Sequence, residues 1–427
     1  MSSMRKRYCS LFLAGCLLLA GCGGSKAGTS GTEANNSTET GGPQLVKTEG
    51  TVSLRVWGPE ADAELLATVI EKFKAQYGSE ANFEFTVEAV EEKDTFSAVL
   101  MDVNNAPDVF SFVDDQLSPL ASSGVLKPIT VGADDVKARN SEGSVAAASL
   151  GDSMYAYPLT ADNGYFLYYN KKYFKESDMA TLDGILKVAE AAGKKVTMDF
   201  TSGWYLYSMF GNTGLTLGLN ENGISNHCDW NSTDGEIKGV DVAKAMIAIG
   251  KSKGFQCGGD DILNAGAKND TVIAGVSGVW DSVALAEAWG DNLGAVKLPT
   301  YTVAGKQIQM SSYAGYKLVG VNSYSPNAYW AETFAEFLTN EENQMLRFEL
   351  RGQGPSNTVA ASSEAVSKSV AIQALIQQSE FASLQRIGAA YWDPAGELGG
   401  TLMNGGPKNM SLQDFMDKIV EGITASY

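Results

Sequence analysis

The chain has 427 residues, of which 32 are basic and 50 acidic, so its formal net charge is −18. A balance this acidic argues against nucleic acid or an anionic membrane face as the partner. Its single histidine, His227, and the lack of Cys/His motif spacing argue against a zinc site or a Ser-His-Asp triad, so we expect no metal and no cofactor.

The first 21 residues are predicted to be an export signal. Basic residues at 5–7 precede an apolar run over 11–21, which is too short for a permanent membrane helix. The word Leu-Ala-Gly-Cys ends at Cys16 and again at Cys22, and it resembles the bacterial lipobox, whose cysteine is lipidated. Only Cys22 leaves a signal core of about 7–15 residues before it, so we expect the lipid there. A plain secretory signal containing cysteines is the alternative.

Residues 22–47 are predicted to be a flexible tether. The stretch 23–42 is dominated by Gly, Ser, Thr and Asn and cannot bury enough apolar surface to fold. Such a linker spans on the order of 25–30 Å, which would hold a folded body close to a membrane. The body contains two cysteines, Cys228 and Cys257, which in an exported chain could pair or stay free.

The body opens with a predicted βαβ unit. Apolar and polar residues alternate over 51–57 and 83–90, as in strands, while apolar residues recur at helical spacing over 60–77. A second helix is predicted over 93–104, and it leads into an apolar strand over 108–113. This order indicates an α/β architecture.

The same alternation continues along the chain. Further strands are predicted at 155–159, 165–170, 194–200, 270–280, 293–301 and 316–324, with helices at 240–254 and 282–290 and a mostly helical region from Asn327 that breaks at 352–355. A body of about 380 residues suits two lobes better than one core. We therefore predict two α/β lobes with mostly parallel sheets, and a ligand crevice at the carboxyl ends of the strands.

Four tryptophans are candidates for lining that crevice. Trp57 and Trp280 each end a strand and precede a turn, and Trp204 follows Ser-Gly. Trp392 lies in AAYWDPAGELGG, which we judge too rich in turn residues for a buried helix. Exposed aromatic faces suit the apolar faces of sugar rings. Two tryptophans inside amphipathic helices are predicted to be core residues, Trp289 and Trp330.

Sugar hydroxyls also need fixed hydrogen-bond partners, which carboxylates and amides provide. Candidates beside the aromatics or in polar turns are Glu60, Asp162, Asn163, Asp281 and Asp393. Asp114 and Asp115 end the strand over 108–113, where alternation would point them to opposite faces. The alternative for each carboxylate is a helix cap or a solvated turn.

These segments together resemble the extracellular solute-binding proteins of bacterial sugar importers, in particular the maltodextrin-binding branch. The similar stretches, in order, are VWGPEAD, APDVFSFVDDQLSPLASSGVLKPI, DNGYFLYYNKKYF, GVSGVWDS and RGQGPSN. The resemblance implies that Asp115 bonds sugar hydroxyls, although Gln116 replaces the Arg of the family's most familiar member. It also implies that Asp162 or Asn163 faces the cleft. The matching stacking aromatics are Trp204, Trp280 and Trp392.

The resemblance further implies a type II periplasmic-binding-protein-like fold. Lobe one would comprise 48–161 and 314–354, and lobe two 162–313 and 355–427, joined by three hinge crossings. The lobes would close on a sugar and deliver it to membrane permease subunits. We expect a monomer without enzyme activity, held by lipid on the outer face of a Gram-positive cell membrane.

The ligand class stays open at this stage. Family likeness favours malto-oligosaccharides, and other oligosaccharides are the main alternative. A glycoside hydrolase would need two carboxylates roughly 5–10 Å apart across the scissile bond. A surface lipoprotein with a vestigial cleft is the remaining alternative.

Overall fold

Two five-stranded sheets organise the part of the chain that the computed structural model describes, residues 45–220 and 224–425. The predicted export signal, Cys22 and most of the tether lie outside the described residues. From the start to the first passage between the sheets, the elements are β1 (Thr51–Gly58), α1 (Ala63–Tyr77), β2 (Asn82–Ala89), α2 (Thr95–Met101), β3 (Val109–Val113), α3 (Leu117–Ser122), α4 (Ala133–Arg139), α5 (Glu142–Ala147), β4 (Ser149–Leu150), β5 (Ser153–Met154) and β6 (Tyr157–Thr160).

The middle of the chain builds the second sheet and its surroundings. Its elements are β7 (Phe166–Asn170), α6 (Leu182–Ala192), β8 (Lys195–Met198), α7 (Gly203–Leu206), β9 (Leu217–Leu219), β10 (Asn226–Cys228), α8 (Gly239–Gly250), β11 (Phe255–Cys257), α9 (Asp260–Lys268), β12 (Val272–Ser277), α10 (Ser282–Trp289), β13 (Leu293–Val296), β14 (Thr300–Val303), β15 (Lys306–Gln309) and β16 (Ser312–Ala314). The remainder comprises β17 (Lys317–Val321), α11 (Ala328–Leu338), α12 (Glu341–Arg351), α13 (Thr358–Ala361), α14 (Glu364–Ser367), α15 (Val370–Ser379), β18 (Ala382–Leu384), α16 (Trp392–Met403) and α17 (Leu412–Ile423).

The first sheet has the strand order β2-β1-β3-β17-β6. The strands of the opening βαβ unit pair in parallel, as the alternating pattern predicts. Phe73 of α1 lies at the centre of the core on this sheet, with ring centroids 5.0 Å from Phe83 and 5.2 Å from Phe334. Trp330 is buried in the same core, as predicted.

The second sheet has the strand order β11-β8-β12-β7-β13. Its first three strands are parallel, and β7 runs antiparallel to both of its neighbours. One large apolar core includes α6, α8, α16 and α17, and a smaller one on β7 and β12 includes α10 and α15. Trp289 is buried in the smaller core, as predicted.

The chain passes between the sheets at β6–β7, at β16–β17 and after α12. These passages lie side by side and are joined by backbone hydrogen bonds: Ala161 N donates to Gly354 O at 3.0 Å, and Asn163 N donates to Gly315 O at 3.2 Å. In each sheet the antiparallel pairs involve a strand at such a passage, since the chain enters it from the opposite direction. Each five-stranded sheet therefore has two parallel and two antiparallel pairs, which differs from the mostly parallel sheets predicted.

Two local expectations differ from the structure. Trp392 begins a helix, α16, because Pro394 stands in the first turn, where its missing N–H is harmless, and Gly399 lets the helix approach the Phe200 carbonyl closely. Asp114 and Asp115 lie in a 3₁₀ turn over Asp114–Gln116, so strand alternation does not apply to them.

Three further observations concern the two cysteines of the body, the single histidine and the lengths of the helices. Cys228 and Cys257 are both free thiols, which settles the pairing that the sequence left open. His227 is exposed, although it lies on the short strand β10. Within the described ranges, no helix is long and apolar enough to cross a membrane.

Candidate functional site

Loops at the carboxyl ends of strands in both sheets carry the candidate residues. Parallel strands β8, β11 and β12 end next to one another, which places 199–204, 258–260 and 278–281 along one edge of the second sheet. In the first sheet, β3 ends at the turn Asp114–Gln116. Ligand sites of α/β folds form at such edges.

An aromatic wall forms beside the end of β8, and we use this name for Trp204, Tyr313, Tyr391 and Trp392. The Trp204 and Tyr313 rings are 5.3 Å apart, and the Tyr391 and Trp392 rings are 5.0 Å apart. The two pairs meet at Gly203, whose carbonyl accepts from Tyr391 OH at 2.7 Å. A Cβ atom at Gly203 would lie 3.2 Å from the Trp392 ring. Trp204 and Trp392 stay partly exposed, so the fold brings these two predicted residues together.

Trp280 is fixed by a carboxylate that the sequence reasoning missed. Its Nε1 donates to Asp260 Oδ2 at 2.9 Å, and the hydroxyl of Ser277 bridges Asp260 Oδ1 at 2.9 Å and Asp281 Oδ2 at 2.7 Å. Asp281 also accepts from Asn264 Nδ2 at 2.8 Å and is buried. Burial, reinforced by the Asp260 carboxylate, raises the pKa of Asp281 to about 7. Asp281 therefore supports the Asp260–Trp280 contact from behind, instead of reaching a ligand as predicted.

Lys317 approaches Trp280 from the first sheet. Its Nζ lies 5.8 Å from the centre of the Trp280 ring and 3.5 Å from Glu92 Oε1. Lys317 is the first residue of β17, whereas Trp280 follows β12 of the second sheet. The site is thus assembled from both sheets.

The turn after β3 meets a distant segment of the chain. Asp114 is fully buried, and its carboxylate accepts from Tyr316 N at 2.8 Å and from Arg386 Nη1 at 2.9 Å. Burial raises the pKa of Asp114, and the Arg386 guanidinium opposes that rise. Asp115 accepts a hydrogen bond from the Gln385 side chain through Oδ2. Its pKa is raised to about 7, first by burial and then by the Asp114 carboxylate. Both aspartates therefore point toward one segment, contrary to the alternation prediction.

Trp57 and Glu60 are not joined to these clusters by any contact among the described residues. The Trp57 indole donates to Glu88 Oε2 at 2.6 Å on the adjacent edge strand, and Arg55 Nη2 donates to the same oxygen at 2.8 Å. The side chain therefore lies along the sheet instead of leaving its end. Glu60 is exposed and lines a surface groove between α1 and β2.

Asp162 and Asn163 belong to the passage between β6 and β7. Asp162 is 2% exposed, and its Oδ2 accepts from Gly354 N of another passage. Asn163 is also buried, and its backbone N–H bonds to Gly315 O. Asp162 therefore ties two passages together through Oδ2, while its Oδ1 is buried and accepts from no described residue, so its predicted place facing the cleft stays a prediction.

Two tyrosines of the aromatic wall, Tyr313 and Tyr391, were missed by the sequence reasoning, and so were four polar site residues: Asp260, Lys317, Gln385 and Arg386. Asp260 follows a short strand and two glycines, a weak signal of a strand exit. The other three carry no local signal, because their partners are remote in sequence. Among the described residues, no group of three or more His, Cys, Asp or Glu could hold a metal ion.

Comparisons with known proteins agree on one family. A family model described as bacterial extracellular solute-binding protein matches residues 68–374. A galactooligosaccharide-binding protein of Bacillus subtilis (strain 168) is 29% identical over 284 residues, which cover 64% of this chain and 66% of that protein. A maltooligosaccharide ABC transporter solute-binding lipoprotein of Streptococcus pneumoniae (strain ATCC BAA-255 / R6) is 25% identical over 342 residues, covering 76% and 79%.

Solved structures have the same fold. One, of a protein with acarbose, is 28% identical with a TM-score of 0.78, covering 88% of this chain and 99% of that one. A maltodextrin binding protein MalE1 from L. casei BL23, without ligand, is 24% identical with a TM-score of 0.72, covering 88% and 100%. The predicted two-lobed type II α/β fold is thereby confirmed.

Proposed function

Because this chain belongs to the family of bacterial extracellular solute-binding proteins, we propose that it captures oligosaccharides for an ATP-driven (ABC) importer. The observation that carries this proposal is the aromatic wall, in which partly exposed Trp204 and Trp392 meet at Gly203. Indole faces stack on the apolar faces of sugar rings, while nearby carboxylates accept from hydroxyl groups. Stacking and hydrogen bonding would hold the sugar without changing it chemically, so we propose no enzyme activity.

The ligand would lie between the two sheets. We assign stacking contacts to Trp204, Trp280 and Trp392, and hydroxyl contacts to Asp115 and Asp260. The approach of Lys317 to Trp280 supports a site that draws on both sheets. We propose the lobe boundaries stated in the sequence analysis, with Asp162 and Asn163 at the hinge, so that closing would bring both walls onto the sugar.

We propose malto-oligosaccharides as the ligands. One relative is named a maltooligosaccharide ABC transporter solute-binding lipoprotein, and one similar solved structure is titled a maltodextrin binding protein. Galacto-oligosaccharides are the second candidate, favoured by the name of the Bacillus subtilis relative. An acidic sugar fits less well, since the candidate set is rich in carboxylates. We further propose lipid attachment at Cys22, a monomer at the cell surface and permease subunits as partners, in line with a lipoprotein-named relative.

Calorimetric titration of the purified protein with maltotriose, longer malto-oligosaccharides and β-1,4-galactotriose tests the proposal. We expect micromolar or tighter binding to one series and a loss of at least about tenfold in Trp280→Ala and Trp392→Ala, because each removes a stacking surface. Trp57→Phe is the matched control, since its indole contacts Glu88 outside the site. If the protein bound none of these glycans, the proposal would be wrong. Turnover of a labelled glycan would show that the protein is an enzyme instead.

A further inference from the structure

Behind Trp280, a chain of hydrogen bonds connects two carboxyl groups through one serine. The Trp280 indole donates to Asp260 Oδ2 at 2.9 Å. Ser277 Oγ lies 2.9 Å from Asp260 Oδ1 and 2.7 Å from Asp281 Oδ2, and Asn264 Nδ2 donates to the other Asp281 oxygen at 2.8 Å. We use the name carboxyl relay for the four residues that this chain joins in order: Trp280, Asp260, Ser277 and Asp281.

The carboxyl relay has one hydrogen too few if both of its carboxyl groups are ionised. The Ser277 hydroxyl carries a single hydrogen, whereas an ionised carboxylate can only accept. The hydroxyl donates to Asp260 or to Asp281, and the other short contact then joins two oxygens with no hydrogen between them. Because Ser277 is fully buried and Asp281 is 6% exposed, the missing hydrogen has to come from within the relay. One of the two carboxyl groups therefore carries a proton.

Asp281 is the group that holds this proton. Burial, followed by the Asp260 charge, raises the pKa of Asp281 to about 7. Asp260 is only partly buried and is the first residue of α9, where the helix dipole favours a negative charge. Asp281 precedes α10, but its side chain makes no cap bond to that helix. With the proton on Asp281, its Oδ2 donates to Ser277 and Ser277 donates to Asp260, so each short contact contains a hydrogen.

The groups around the carboxyl relay supply no compensating cation. The Tyr205 hydroxyl donates to Asp260 Oδ1 at 3.4 Å, which leaves the two Ser277 contacts to share one hydrogen. Helix α15, which packs on the turn after β12, contributes apolar side chains. Within the described ranges, no basic side chain forms an ion pair with Asp260 or Asp281. The titratable groups that face the relay are Tyr168 on β7, Tyr205 on α7 and Lys317 on β17, which pairs with Glu92.

Loss of this proton would loosen Trp280. Two neighbouring carboxylate charges would then repel each other and share one hydroxyl hydrogen. That hydrogen would go to the shorter contact, with Asp281, so Asp260 would lose its donor and the indole that Asp260 fixes would lose its orientation. Ordering a loose side chain during binding costs affinity, so a stacking surface works best when it is held in place beforehand.

We infer that Asp281 is a positioning residue whose proton, acting through Ser277 and Asp260, fixes the Trp280 indole, so that sugar binding is coupled to protonation of the carboxyl relay. The inference rests on the proposed function, in which Trp280 stacks on a sugar ring. When the free protein lacks the proton, binding takes one up from solvent at Asp281 Oδ2, and no bond of the sugar changes. Affinity is therefore full below about pH 7 and falls as the pH rises above it.

Asp281→Asn is the decisive variant, because its amide donates to Ser277 as the protonated carboxyl does but cannot lose the proton. We would titrate wild type and variants calorimetrically with whichever of maltotriose and β-1,4-galactotriose binds, at about pH 6 and about pH 8. Buffers of different ionisation enthalpy report the number of protons that binding takes up. Asp291→Asn is the matched control, since this aspartate is exposed after α10.

Wild type and Asp291→Asn should lose up to about tenfold in affinity between about pH 6 and pH 8 and should take up close to one proton per sugar at the higher pH, because a group with a pKa of about 7 has to be protonated in the complex. Asp281→Asn should bind equally well at both pH values and take up none. Ser277→Ala, which interrupts the carboxyl relay and leaves both carboxyl groups in place, should bind more weakly than wild type at the lower pH.

The comparison with Asp281→Asn separates this effect from Asp115, whose pKa is also raised to about 7. If Asp281→Asn took up as many protons as wild type, or if wild type bound the sugar without taking up any, the inference would be overturned and the proposed function would stand. The wild-type proton count needs no variant, so it decides the question even if thermal unfolding shows that Asp281→Asn is misfolded. Failure of the wild type to bind either glycan at both pH values would overturn both.

Discussion

The buried ion pair between Asp62 and Arg347 gives the sharpest stability prediction. Asp62 follows β1 and is 1% exposed, and its Oδ2 lies 2.6 Å from Arg347 Nη1, which is also almost fully buried. Arg351 Nε donates to the other oxygen at 3.0 Å. Arg347→Met keeps most of the side-chain volume but removes the nearer charge. Breaking one side of a buried pair costs about 3–5 kcal/mol, and the remaining bond to Arg351 places this variant toward the lower end.

The dependence on pH has a definite sign. Burial alone would raise the pKa of Asp62, but the Arg347 charge and hydrogen bond outweigh it and hold that pKa below its usual value. A carboxylate with a depressed folded pKa contributes stability above its unfolded pKa and loses it as the pH falls through the folded value. The deficit of Arg347→Met should therefore be complete near neutral pH and should shrink below about pH 4.

Urea unfolding would measure these effects. We would follow it by both fluorescence and circular dichroism, because a chain with more than one core can unfold in steps and two probes show whether the transitions coincide. Lys418→Met is the control, because its pair with Glu397 is exposed and should contribute at most about 1 kcal/mol. The double variant Asp62→Asn with Arg347→Met should recover part of the loss, since no buried charge remains unpaired. A loss below about 1 kcal/mol in Arg347→Met, or a double variant as unstable as the sum of the singles, would refute this reasoning.

Three further outcomes are expected. Gly399→Val should destabilise the protein by about 3 kcal/mol or more, because a Cβ there would lie 1.6 Å from the Phe200 carbonyl oxygen. Gly400→Ala should instead stabilise it by about 0.5–1 kcal/mol, because nothing lies within 4 Å of the added Cβ. Denaturant titrations measure both changes. Since the folded pKa of Asp281 is raised to about 7, the folded state holds a proton that the unfolded state releases, so stability should fall as the pH rises from about 4 to above 7; Asp281→Asn should flatten that slope in unfolding titrations between pH 5 and 8. Cys228, whose pKa burial raises to about 12, should react with a thiol reagent far more slowly in the native protein than after denaturation, and fast native labelling would contradict its placement.

Much of the secondary structure could be read from local pattern. The alternation of Val52, Leu54 and Val56 corresponds to the buried face of β1, and the helical spacing that ends at Gly78 corresponds to α1. Helix α16 was not predictable in this way. Its glycines look like turn residues, and only the neighbouring Phe200 carbonyl shows that they permit close packing.

For the candidate site, too, some features could be predicted from the sequence and others depended on the tertiary structure. The sequence by itself determined the α/β class and the aromatic candidates Trp204, Trp280 and Trp392, because residue type and period are local properties of the chain, and the length of the body indicated two lobes. Only the tertiary structure decided which polar groups stand beside them: Asp162 and Asp281 turned inward, and Arg386 reached Asp114 across 272 positions. Hydrogen bonds between such distant residues depend on how the sheets and passages pack, and no spacing within one segment encodes that packing.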